Sequence, residues 1–139
     1  MRRSVKYVVW ALLASVIIPV GWFFLYAMLR QAEAASFYDA RPFLNSMNSV
    51  HDHIWTNDSR STRSVLLQSF PIGTELNTAL STLRREGFAC RPSAVLDARV
   101  NCQLLAPAFG GSTLWIVDLR FDERDWLTDA KVAAWNISF

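Results

Sequence analysis

Glycine, cysteine, histidine and lysine are all scarce in this chain, and each scarcity closes off a class of function. The 139 residues include 5 glycines, 2 cysteines and 2 histidines. No glycine-rich phosphate loop occurs, and neither does an HExxH or a Gly-x-Ser-x-Gly pattern. The signatures of phosphate binding, zinc peptidases and serine hydrolases are therefore missing. Lysine is almost absent, and arginine forms no run or stripe, which argues against nucleic acid as a partner. The formal charge of +2 misleads, because three of the 14 basic residues precede the first apolar run. The other 11 face all 12 acids, leaving about −1 on the rest of the chain.

The few residues that could carry chemistry have plainer explanations. His51-Asp52-His53 puts two histidines two positions apart, which is not one helix face, and no third or fourth ligand is near. Asp118, Asp122, Asp125 and Asp129 lack the glycine and closing glutamate of a calcium loop, and read as solvated charges. Cys90 could be a nucleophile with His51 or His53 as its base. A disulfide between Cys90 and Cys102 accounts for it better in an oxidising compartment. These residues give a non-enzymatic reading with no catalytic residue, no metal and no cofactor.

What the chain does have is one long apolar run. Tyr7 to Leu29 contains no charge. As a helix at about 1.5 Å per residue it would be roughly 35 Å long, enough to cross a bilayer core of about 30 Å with some tilt. Trp10 and Tyr7 near one end, and Trp22 and Tyr26 near the other, suit the aromatic belts. Arg2, Arg3 and Lys6 precede it, in a basic segment over residues 1–6, and place the N-terminus in the cytoplasm. The rest of the chain is then exported: single-pass in a bacterial inner membrane, with the C-terminal domain in the periplasm. The rival is a cleaved signal peptide, with Ala32-Glu33-Ala34 as a small-residue site; the run is longer than a signal's apolar core. Pro19 predicts a mid-span kink.

After the span, residues 30–69 read as an amphipathic helix and a linker. Phe43, Met47, Val50 and Ile54 recur at helical spacing within Ser36 to Trp55, and Pro42 suits a first turn. Asn57 to Ser64 is polar and aperiodic, a loop. Asn57-Asp58-Ser59 and Asn136-Ile137-Ser138 match the short glycosylation pattern.

Residues 70–139 are the most legible. Thr74 reads as an N-cap before Leu76, Ala79, Leu80 and Leu83, one apolar stripe, with Arg84 and Arg85 in the last turn and Gly87 just past it. Beyond Gly87 the chain alternates. Phe88 and Cys90 share a face of one strand; Pro92 to Asp97 connects it to the next. Val100, Cys102 and Leu104 share a face of the second, which puts both cysteines on the apolar side. Pro107 to Ser112 is a turn. Trp115, Val117, Leu119 and Phe121 line the third strand, and Ala133, Trp135, Ile137 and Phe139 the last. Helices followed by about four antiparallel strands in a meander make an α+β fold.

Ile72-Gly73-Thr74, the short helix carrying Leu76 and Leu83, Gly87-Phe88, and the Trp115 strand ending at Phe121-Asp122 resemble the SmpA/OmlA (BamE-like) domain and the similar β-lactamase-inhibitor-protein fold. The likeness covers about Phe70 to Phe139. A lipobox cysteine is missing, and a span and a cysteine pair are added. The resemblance implies an α+β fold and a protein-binding habit, and it implies no catalytic residues.

For partner contact, Trp126 follows the Asp122-Glu123-Arg124-Asp125 turn, and tryptophan is enriched at binding hot spots. Leu114 and Ile116 fall on the nominally polar face of their strand and could form an apolar patch. The expected function is an accessory or assembly subunit that binds another envelope or membrane protein. The alternative is an inhibitor or immunity protein that blocks an enzyme or toxin in the periplasm.

Overall fold

A computed structural model describes residues 2–51, 60–93, 98–108 and 110–138. Its first element is α1, Arg2–Asp39, one uninterrupted helix that includes Pro19. From Leu12 to Leu29 its described side chains stand away from the rest of the protein. Among the described residues it is the one helix long and apolar enough to cross a membrane, a test that a signal sequence also passes.

The last turns of α1 behave differently. Tyr38 is buried, and Phe37 packs against the core. The predicted second helix therefore begins later than Ser36. It is α2, Pro42–Val50, with Pro42 in its first turn as expected. Its buried face is Leu44 and Met47. Phe43 is only partly buried, edge-on to Phe70 at 5.3 Å, and Val50 is exposed. Ile54 and Trp55 lie outside the described residues, as do Asp52, His53 and the Asn57-Asp58-Ser59 sequon.

The expected loop up to Ser64 is in part a helix: α3 runs Arg60–Ser69. Thr62 and Leu66, four residues apart, bury one narrow stripe, and Phe70 continues it into the core. The stripe is narrow because serine and arginine occupy the remaining positions. α4, Leu76–Arg85, buries Ala79, Leu80 and Leu83 as predicted. Its N-cap is Glu75 and not Thr74; the Thr74 hydroxyl donates back to the Pro71 carbonyl at 2.7 Å. Gly87 has φ +98°, the left-handed exit that glycine tolerates.

Four strands follow: β1 Ala89–Pro92, β2 Arg99–Ala108, β3 Gly111–Phe121 and β4 Leu127–Ser138. They pair in chain order as one antiparallel sheet. β2 and β3 extend further toward each other than the predicted Pro107 to Ser112 turn allows. Pro107 pairs with Ser112 and Ala108 with Gly111, and Gly110 makes the turn with φ +74°. The connection from β1 to β2 is described only at its ends.

The helices cover one face of the sheet, making two layers. The inner face carries Cys102, Ala106, Trp115, Val117, Leu119, Phe121, Ala130 and Val132, all buried. On β4 the register decides which face is which. A register shift near Arg120 and Phe121 sets Ala130 opposite Leu119 and Val132 opposite Val117, so the small side chains of β4 face the core. Ala133, Trp135 and Ile137 share a face as expected, and it is the outer one; Phe139 lies outside the described residues. Trp135 is 40% exposed and is not a core residue.

One polar clip joins the layers, and others tie the helices to each other. The Trp115 indole Nε1–H donates to the Tyr38 hydroxyl at 3.2 Å. The buried Glu86 carboxylate accepts the Leu44 amide at 3.1 Å, satisfying a free N–H in the first turn of α2. Arg41 adds a bond to the Glu86 carbonyl at 2.9 Å.

Candidate functional site

The cysteines sit opposite each other, Cys90 on β1 against Cys102 on β2, and form a disulfide facing the core. No cysteine is free. His51 ends α2 with its ring 5.3 Å from that of Trp115, a packing position. Among the described residues no three His, Cys, Asp or Glu side chains gather as metal ligands would.

Three of the four aspartates of the apparent cluster are occupied separately, through their side chains. Asp118 accepts from Asn101 Nδ2 at 2.6 Å on the outer sheet face. Asp122 Oδ1 accepts the amides of Arg124 and Trp126, each at 2.9 Å, and so closes the β3–β4 turn. Asp129 accepts from Arg63 Nη2 at 2.6 Å and from the Ala130 amide at 2.9 Å. Partial burial pushes the Asp129 carboxyl up, but the Arg63 and Ala130 bonds and the nearby Arg63 and Lys131 charges outweigh it and hold the carboxyl below its ordinary range. Arg63 Nε also donates to the Ala130 carbonyl at 2.7 Å, so one side chain clasps the free edge of β4. Asp125 is used through its backbone, adopting φ +62° while its carbonyl accepts the Leu76 amide at 2.8 Å.

Trp126 stands at the end of the sheet farthest from Gly110. It is 46% exposed and forms an isolated bridge with Glu75. The segment is fastened by Gly73 N–H to the Leu127 carbonyl and Leu127 N–H to the Thr74 carbonyl, both at 2.8 Å. Ile72, just before this segment, is also exposed. An aromatic ring is thus presented on a braced backbone, which lowers the entropy lost on contact.

Leu114 and Ile116 lie elsewhere, half-buried on the outer face. The strand register arranges that face in rows running up the sheet. Arg99, Arg120 and Asp129 form one row, and Asn101, Asp118 and Lys131 the next. Gln103, Ile116 and Ala133 follow, then Leu105, Leu114 and Trp135, then Pro107, Ser112 and Ile137. Polar rows lie toward Trp126 and apolar rows toward Gly110. The structure therefore brings Leu114 and Ile116 together with each other and separates both from Trp126. Sequence reasoning missed Leu105, Trp135 and Ile137 as members of this patch. For Leu105 the signal was the alternation already read on β2; for Trp135 and Ile137 it was the parity of β4 relative to β3, which depends on the bulge.

At the Gly110 end, on the helix side, is an open groove of about 570 Å³ between the last turns of α1 and the β2–β3 turn. Gln31, Asn45, Asn48 and Asn136 give its wall an amide character. No family model matches this chain, and no curated protein or solved structure matches it.

Proposed function

We propose that the protein is a single-pass, membrane-tethered binding module. Its exported α+β domain engages another envelope protein as an accessory or assembly subunit, without chemistry of its own. One observation carries the reading: the apolar segment and the buried Tyr38 belong to the same uninterrupted helix. A tether that enters the core without a linker holds the domain at a set height and orientation. A subunit that must present one surface to a membrane-bound neighbour needs that constraint. Signal-peptide cleavage near Ala34 would instead remove helical turns that line the groove.

The Arg2, Arg3 and Lys6 charges support a cytoplasmic N-terminus, which puts the domain in the periplasm of a bacterial cell. With the domain on its tether, Trp126 is at the membrane-distal end, where a neighbour's own exported domain can reach it.

The test is recovery of the tagged full-length chain from its native membrane in mild detergent, as wild type and as Trp126→Ala. A hot-spot tryptophan costs at least about 2 kcal/mol when truncated, about thirtyfold in affinity. A stoichiometric membrane-complex subunit that is retained by the wild type and lost with the variant, at unchanged thermal stability, supports the reading. Equal recovery of that subunit with both removes Trp126 as the contact. Release of the wild-type chain by alkaline carbonate removes the tether.

A further inference from the structure

We infer that the outer sheet face, at the end carrying Leu105, Leu114, Trp135 and Ile137, rests in the lipid headgroup region of the membrane that holds α1. The inference rests on the tethered reading above and adds a second, peripheral contact with the same bilayer.

The placement comes from α1. Tyr38 meets Trp115 in the middle of β3, while Gln31 shares the groove wall with Gly110 at the turn. Followed backwards, α1 therefore descends along the sheet toward the β2–β3 turn and leaves the domain there. Gln31 lies two residues beyond Leu29, about 3 Å of helix rise from the end of the uncharged run. The turn is thus held near the level where the uncharged run ends.

The charge pattern follows that placement. From Leu104 to Val117, and from Val132 onward, there is no Asp, Glu, Lys or Arg. The strand charges Arg91, Arg99, Asp118, Arg120, Asp129 and Lys131 all fall in the other half of the sheet. A sheet face turned toward water gains nothing from this separation. A face resting at the inner edge of the headgroups is favoured by it, because a charge carried past that edge into the hydrocarbon is costly. The exposed large apolar side chains of the strands' outer face lie in the same half: Leu105 is 54% exposed, and Trp135 and Ile137 are each 40% exposed. Tryptophan at such a level matches its preference for the membrane–water interface.

Depth is graded. Ile137 is opposite Ser112, and Trp135 is opposite Leu114. At about 3.4 Å per residue these levels are about 7 Å and 14 Å from Gly110. The headgroup zone is about 5–8 Å thick on each side. An upright sheet would immerse the turn and reach only toward Ile137; bringing Leu105, Leu114 and Trp135 into the zone takes a tilt toward the outer face in the upper part of the range of about 0–40° seen for single helices. The rigid continuity of α1 with the core makes the domain tilt with its tether.

The experiment uses the full-length chain in phosphatidylcholine nanodiscs, with a nitroxide on one introduced cysteine at a time. The native cysteines are both in the disulfide and do not take the label. The sites are Ile137→Cys and Leu105→Cys on the patch, Glu123→Cys at the far end and Phe24→Cys on the tether. Collision with oxygen is compared with collision with a water-soluble nickel chelate, and each variant is checked for unchanged thermal unfolding. Ratios that rise severalfold in the order Glu123, Leu105, Ile137, Phe24 are expected. A lipid-exposed Phe24→Cys with Leu105→Cys and Ile137→Cys as aqueous as Glu123→Cys overturns the seating and leaves the tether standing. An aqueous Phe24→Cys overturns both. Exclusion of both reagents at Ile137→Cys, with dipolar broadening between labels, puts a second copy on the face and overturns the inference.

Discussion

Replacing Tyr38 by phenylalanine tests whether α1 is part of the domain or merely attached to it. The ring and its packing remain, so no cavity is created. What is lost is the hydroxyl that accepts the Trp115 indole N–H at 3.2 Å. Trp115 is fully buried, so water cannot replace that acceptor. A buried donor left unsatisfied costs about 1–3 kcal/mol. The lower half of that range is expected because the indole can relax toward the nearby groove. For a domain of this size about 1–2 kcal/mol lowers Tm by about 4–8 °C. The assay is thermal unfolding of the full chain in detergent, followed by near-ultraviolet circular dichroism. Trp115→Phe removes the donor, so Tyr38→Phe in that background should cost clearly less than it does alone. There is also a signature in pH. Burial pushes the Tyr38 hydroxyl above its usual ionisation range, against weaker opposing bonds from Trp115 and Thr113. Its contribution to stability is therefore complete below about pH 10 and is lost as pH rises through the folded-state value. Tyr38→Phe should lack that part of the alkaline decline. An unchanged Tm in Tyr38→Phe, or strictly additive effects in the double variant, would refute the buried hydrogen bond as a tie between α1 and β3.

Three further outcomes follow from other contacts. Reduction of the Cys90–Cys102 bridge, or its replacement by two alanines, should cost about 3 kcal/mol by the chain-entropy estimate for a loop of this size, read as a lowered denaturant midpoint; an unchanged midpoint would mean that the paired strands already restrict the unfolded chain. Gly87→Ala should destabilise by about 1–2 kcal/mol because φ +98° is strained for any side chain, while the added methyl meets Arg41 and Leu104 only at ordinary contact distances; a neutral result would show that the turn relaxes. Asp129→Asn should lower Tm slightly at neutral pH, by under about 1 kcal/mol for so exposed a pair, and the gap to the wild type should close as pH falls below about 4. The sign follows from the lowered Asp129 pKa, whose stabilisation is present above the unfolded value and lost as the folded carboxyl protonates; a gap that widens in acid would contradict the Arg63 clasp.

Local chemistry was enough to read several elements from the chain alone. Leu76, Ala79, Leu80 and Leu83 have one amphipathic solution, and Gly87 ends it, because the spacing and the left-handed exit are properties of the backbone itself. Alternation on β2 and β3 identified the buried faces and put both cysteines on the same side, since successive strand residues must point opposite ways. The long uncharged run was equally plain. Other features were settled only by tertiary packing. α3 exists because Thr62, Leu66 and Phe70 find a core to enter; its serines and arginines have little tendency to announce a helix. Thr74 lost the cap position because Leu127 and Asp125 hold the backbone around it. The outward turn of Trp135 and Ile137 depends on a register shift at the start of β4, and a one-residue shift exchanges the two faces of a strand. The candidate surfaces belong to this second group. Leu105, Leu114 and Trp135 lie on three different strands and become one row only through pairing, and the packing of α1 on the core decides which end of the sheet lies beside the apolar segment.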